Sequence, residues 1–361
     1  MNLPPLGRVP LLLLGFIGLF LGVGGGLARL AWPMPEIAAS ASALHGALMV
    51  CGFFGVVISL ERAVAIARLW AYLGPLLAGL GTASAVHGQL ALAAALYVAA
   101  SVVLLAGSLY IVWRQRALFN LTVALGAACW VVGNALWAGD AAMPTVAPWW
   151  LAFLVLTIAG ERLELSRFME PSALAQRLFG ALLLVICAGL LAVGSPWGVR
   201  LFAAGLLGLA AWLFRHDIAR RTVRQRGLTR FIAVCLLSGY AWLALGAAVL
   251  LAAGALVPGS PSYDAALHAL ALGFVFSMVF GHAPIIFPAV LRVAVPYHPG
   301  FYLPLALLHG ALALRLAGDA TGHFASTRWG GLLGALALLA FIAATLASVL
   351  RGRRSRPAAT R

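Results

Sequence analysis

Long apolar runs and short polar breaks alternate along the whole chain. Twelve runs approach the roughly 20 residues needed to cross the hydrocarbon core of a bilayer. They fall at 9–30, 39–60, 69–86, 90–112, 117–138, 148–167, 177–194, 197–214, 229–253, 264–288, 300–318 and 328–350. The third, seventh and eighth are the shortest. The pattern predicts an all-α, polytopic membrane helical bundle of about twelve transmembrane helices, with residues 1–361 forming one integral membrane domain. The first run has Arg8 before it and Ala39-Ser40-Ala41 after it, as a signal peptide would. Its apolar stretch is too long and that cleavage-like site too distant, so it counts as span 1.

Composition agrees: 63% of residues are hydrophobic and only 9% charged, against roughly a quarter charged in soluble domains. The net charge of +15 comes from 24 arginines, with no lysine. These lie in short tracts between spans, which removes nucleic acid as a partner and leaves the lipid bilayer. If the N-terminus is cytoplasmic, 20 of the 24 arginines face inward and only Arg29, Arg200, Arg315 and Arg328 lie on or towards the other side. That bias sets both termini in the cytoplasm and gives an even span count. It predicts a multi-pass protein of a bacterial cytoplasmic (inner) membrane. The basic stretches at 215–230 and 351–361 read as an inner loop and inner tail that hold this topology, with anionic-lipid contact as a secondary idea. Cys51, Cys129, Cys187 and Cys235 each lie inside a span with no CxxC spacing, so they read as buried small hydrophobes.

Span 1 carries Gly18-x-x-x-Gly22-x-x-x-Gly26, the stripe of a closely packed helix face. Of the eight histidines, His45, His268, His282 and His309 fall within spans, where ionisable groups are costly and mark sites. His45 lies about six residues below the outer start of span 2 and His268 about four below that of span 10, roughly 9 and 6 Å deep. At matched depth, two imidazoles can grip one metal or one haem iron. Met49, Gly52 and Gly273 are candidate neighbours of such a cofactor, the glycines leaving room for a macrocycle. Phe53, Phe54, Phe274 and Phe276 are candidate walls. His282 follows His268 on the same helix face but about 21 Å further along. It cannot share that iron, and with His309 it makes a weaker candidate second metal site. The plainer reading of any of these rings is a hydrogen bond between helices.

The run His45-x-x-x-Met49-x-x-Gly52-Phe53 resembles the histidine helix of the NnrS family of haem- and copper-containing membrane proteins. His268-Ala269-Leu270-x-x-Gly273-x-x-x-x-Met278 resembles a second motif of that family. "HGALM" is also similar to helix II of the haem-copper oxidase catalytic subunit, whose low-spin haem is held from helices II and X. These resemblances cover roughly 45 residues and imply b-type haem, redox or nitric-oxide chemistry, and an electron donor or diatomic gas as partner. The chain departs from both families. Gly46, Ala47 and Leu48 stand where NnrS has a second His and a Glu, and Gly281-His282-Ala283-Pro284 replaces Gly-His-Thr-Gly-Arg. Spans 6 and 7 hold no histidine, which argues against an oxidase-type copper.

Glu61-Arg62, Glu161-Arg162 and Glu164 lie near the inner ends of spans 2 and 6. They read as interface ion pairs or, with His282, as a proton path from the cytoplasm. No nucleophile elbow, phosphate loop, dinucleotide fingerprint or zinc-protease spacing occurs in a supporting context. Two other readings stand beside haem binding. One is a cofactor-free transporter, for which Pro284 and Pro288 would break span 10. The other is a scaffold or assembly subunit whose histidines only join helices. Substrate, donor, metal count and oligomeric state leave no trace in the sequence.

Overall fold

A computed structural model describes residues 2–169 and 171–354. The last residues of the basic tail, from 355 on, lie outside the described residues. Among the described residues there is no strand; the protein is a polytopic helical bundle. Its twelve membrane-length helices are α1 (Pro5–Arg29), α2 (Ser42–Ile66), α3 (Leu69–Val86), α4 (Leu90–Arg114), α5 (Leu118–Ala138), α6 (Met143–Ser166), α7 (Ala173–Leu191), α8 (Pro196–His216), α9 (Gly227–Ala253), α10 (Pro261–Leu291), α11 (Pro299–Thr321) and α12 (Phe324–Gly352).

Neighbours in sequence pack as neighbours in space, as in α3 with α4, α5 with α6, α7 with α8 and α11 with α12. Short connections leave them little alternative. Three helices have the largest share of their apolar window covered by protein: α6 (67%), α2 (61%) and α10 (61%). They form the middle of the bundle, and two of them carry His45 and His268.

Among the limits that differ from the sequence reading, two have local reasons. α6 starts at Met143 instead of 148, because Pro144 occupies a first-turn position where no N–H is needed. α10 runs on through Pro284 and Pro288 to Leu291. The expected break is therefore absent: both prolines lie in helical backbone, and the helix ends only where Arg292 adopts a left-handed conformation (φ 55°).

The glycine stripe of α1 explains how α2 is seated. A methyl on Gly18 would stand 2.8 Å from the backbone carbon of Gly52, and one on Gly22 would meet Met49 Sδ at 2.8 Å. The two backbones can approach only because those side chains are missing.

Candidate functional site

α2 and α10 share a departure from regular helix. Each contains a seven-residue π-helical stretch, Leu48–Phe54 in α2 and Ala269–Val275 in α10. π-turns are well under 1% of residues and mark functional sites out of proportion to their number. Here one follows His45 by three residues and the other follows His268 directly. The wider i→i+5 turn re-aims what comes after it. Below the histidines, Phe53 and Phe276 lie parallel with centroids 6.0 Å apart, and Phe54 meets Phe276 edge-on at 5.2 Å. These rings join the two helices beneath the pair.

The His45 and His268 rings face each other with centroids 6.4 Å apart and planes 17° from parallel. His45 donates Nδ1–H to the Gly22 carbonyl at 2.6 Å. His268 donates Nδ1–H to the Asp264 carbonyl at 2.9 Å. A carbonyl can only accept, so each ring carries its proton on Nδ1 and its lone pair on Nε2. Neither Nε2 has a hydrogen-bond partner among the described residues. The last glycine of the α1 stripe makes room for this: a methyl on Gly26 would stand 2.9 Å from Cε1 and Nδ1 of His45.

His268 has a second support. Its Nδ1 lies 3.3 Å from Asp264 Oδ1, and Arg315 clamps that carboxylate through Nε (2.7 Å) and Nη2 (2.9 Å). Ligating histidines are commonly fixed in this way by a carboxylate or carbonyl on the far nitrogen. Sequence reading missed Asp264, although its spacing to His268 places both on one helix face. Close by, Asp319 accepts from Thr327 at 2.9 Å, and its other oxygen is buried without a partner.

The remaining candidates have other surroundings. Met49 packs on α1 at Gly22, Gly52 lies against Gly18 and Thr82, and Gly273 is filled by Trp242 and Leu312. All three serve helix packing, so room beside the paired rings does not come from them. His282 donates Nδ1–H to the Met278 carbonyl at 2.7 Å, and its Nε2 faces Arg162 Nη1 at 3.4 Å. His309 accepts from Trp242 Nε1 at 2.9 Å and lies 3.0 Å from Ser238 Oγ through Nε2. His282 and His309 are thus tied to different partners. Glu161 lies within electrostatic reach of Glu61, Arg62, Arg162 and Glu164, so the acids gather on the arginine-rich side around the guanidinium that His282 touches.

That guanidinium anchors a buried network that sequence reading also missed. Arg162 grips Asp217 through Nε (2.8 Å) and Nη2 (3.2 Å). Tyr240 donates to the same carboxylate at 2.7 Å, as does the Ala219 amide at 2.7 Å. Asp217 lies in the basic stretch 215–230, yet it is only 1% exposed.

The donor set decides which cofactor would fit. No group of three or more His, Cys, Asp or Glu side chains arranged for a metal ion occurs among the described residues. A bare ion held by protein alone wants three or four ligands. Two opposed imidazoles suit a macrocycle that brings its own equatorial nitrogens. The spacing allows it too: a metal–imidazole bond of ~2 Å would put each ring centroid ~3 Å from a metal held between them.

Fold and site together define a twelve-helix membrane protein with a paired-histidine centre between its second and tenth helices. The chain belongs to the family described as Domain of unknown function (DUF8744), whose model matches residues 8–350. No curated protein and no solved structure matches it.

Proposed function

We propose that this protein binds one b-type haem between His45 and His268 and works in electron transfer or in handling a diatomic gas, with nitric oxide the gas that the NnrS resemblance implies. Its setting would be a bacterial cytoplasmic membrane. The observation that carries this reading is the facing pair itself: two rings from distant helices, 6.4 Å apart, each with its proton locked on the outer nitrogen. When bound, a haem supplies one-electron exchange and, given an open axial position, gas coordination. The protein's part is to hold both Nε2 lone pairs inward, exclude lipid beneath them with Phe53, Phe54 and Phe276, and keep Asp264 on His268.

The two ligands are not held equally. His268 has a carbonyl and a clamped carboxylate behind it, whereas His45 has a single carbonyl on α1. His45 would therefore be the less firmly held of the two ligands. The transporter reading has less support. Its expected break at Pro284 and Pro288 does not occur, and the π-turns lie in the second and tenth helices, which are not counterparts in a six-plus-six repeat.

The test is the reduced-minus-oxidised absorption spectrum of protein made with ample haem supply. Sharp haem bands are expected in the wild type and in His282→Ala, and their loss in His45→Ala and in His268→Ala. A colourless wild type, or bands that survive both of those substitutions, rules the reading out.

A further inference from the structure

Two surface clefts open on the arginine-rich side of the bundle, one beside helix C-terminal ends and one beside helix N-terminal ends. One, of about 580 Å³, is lined by Arg68, Tyr110, Arg114 and Gln115. It lies where α2 and α4 end. The negative ends of helices welcome arginine there. Arg114 is already engaged, donating to the Tyr110 hydroxyl at 3.2 Å with its guanidinium 6.0 Å from that ring.

The other cleft, of about 500 Å³, is lined by Arg226, Gly227, Arg230, Val234, Tyr297 and Tyr302. Here α9 and α11 begin. Arginine at the start of a helix adds positive charge to the positive end of the dipole, an unfavourable placement unless something neutralises it. Nothing among the described residues does so. Neither helix has an acid in its first turn, and no carboxylate lines the cleft. Among the described residues, Arg226 and Arg230 have no hydrogen-bond or ion-pair partner. No side chain caps α9, whose first residue, Gly227, lines the same cleft. The tyrosines are fixed in place: buried Phe231 packs edge-on against Tyr302 at 5.2 Å and lies 6.4 Å from Tyr297. Two free guanidinium groups, two anchored phenols and the uncapped start of α9 thus converge on a cavity at the membrane boundary, while His298 caps the start of α11.

We infer that this cleft between the starts of α9 and α11 is a binding site for the phosphate of an anionic phospholipid headgroup. The chemistry required is a phosphate oxyanion, for which arginine forks and phenolic donors are matched. The lipid is the source named because the cleft lies where headgroups of the arginine-rich side would lie, with the apolar wall of α9 below it for the acyl chains. This inference does not rest on the haem reading.

The test is native mass spectrometry of the full chain in a neutral detergent, titrated with phosphatidylglycerol, with phosphatidylcholine, or with inorganic phosphate. Phosphatidylglycerol should bind the wild type well above phosphatidylcholine. Arg226→Ala with Arg230→Ala should weaken it about thirtyfold, from about 1 kcal/mol per arginine near the surface. Arg226→Lys with Arg230→Lys should keep most of the affinity, and Arg68→Ala with Arg114→Ala should change nothing. These side chains are exposed, so melting without lipid should match the wild type and separate lost binding from lost folding. Equal binding of both lipids, or full affinity in the double alanine variant, overturns the site. Tight inorganic phosphate with no lipid preference overturns the lipid assignment.

Discussion

His268 and His282 stand on the same helix and are built alike, each donating Nδ1–H to the carbonyl four residues earlier. Only what faces the other nitrogen differs. His268 Nε2 has no hydrogen-bond partner among the described residues, and its ring lies 6.4 Å from a second imidazole. His282 Nε2 looks at the guanidinium of Arg162, a donor that consumes that lone pair and repels any cation brought to it. On the proposed reading one ring ligates and the other knits helices. A histidine in a membrane helix does not declare its role; the group across from Nε2 does, and here that group comes from α2 in one case and α6 in the other.

The largest effect expected from disturbing this contrast lies on the Arg162 side. Arg162 and Asp217 are 3% and 1% exposed, and their pairing is bidentate. Arg162→Ala leaves the carboxylate with Tyr240 and one amide, an uncompensated buried charge costing about 3–5 kcal/mol. Melting in detergent should fall sharply, or folded protein should be lost. Arg162→Met with Asp217→Leu should recover much of the loss, since an apolar pair leaves no charge behind. Whatever fraction of Arg162→Ala folds should keep the wild-type spectrum. Wild-type melting in the single variant would show that the network is not a structural anchor.

The Arg162 network also marks the limit of what the sequence discloses. The twelve spans are legible because lipid imposes one simple demand, about twenty apolar residues each, and the matched depth of His45 and His268 follows by counting along two helices. Partners cannot be counted. Arg162 and Asp217 are 55 positions apart, and an aspartate among arginines looks solvated until a fold buries it. The π-turns are equally hidden, because they keep the apolar composition of an ordinary helix; Gly52-Phe53 and Gly273-Phe274, one step inside each, are the one shared trace. Gly52 and Gly273 show a related limit. A glycine announces that something comes close, but not whether it is a cofactor or, as here, Thr82 and Trp242.

A smaller effect is expected at Asp264, which sharpens the contrast from the ligating side. Asp264→Asn keeps the shape and the backbone carbonyl that takes the His268 proton. It removes the charge 3.3 Å from Nδ1 and half of what Arg315 grips. Second supports of this kind change metal-site affinity by roughly 10–100-fold. Haem should transfer from the variant to a high-affinity acceptor that much more readily, while its ligation spectrum stays that of two histidines. Transfer matching the wild type would mean that the carbonyl alone sets the ring.

The smallest effect tests whether the contrast extends to the fourth intramembrane histidine. His309 has both nitrogens engaged: Trp242 N–H donates to Nδ1, which leaves the ring proton on Nε2 for Ser238. No lone pair is free for a metal. His309→Leu should cost about 1 kcal/mol, the net worth of such hydrogen bonds where the stranded groups are only half-buried, read as a shift of a few degrees in melting. Its spectrum and haem stoichiometry should equal the wild type's. If His309→Leu instead removed a fraction of the haem absorbance, a second centre would have to exist on α11. The rule that the group facing Nε2 decides a histidine's role would then fail for this protein.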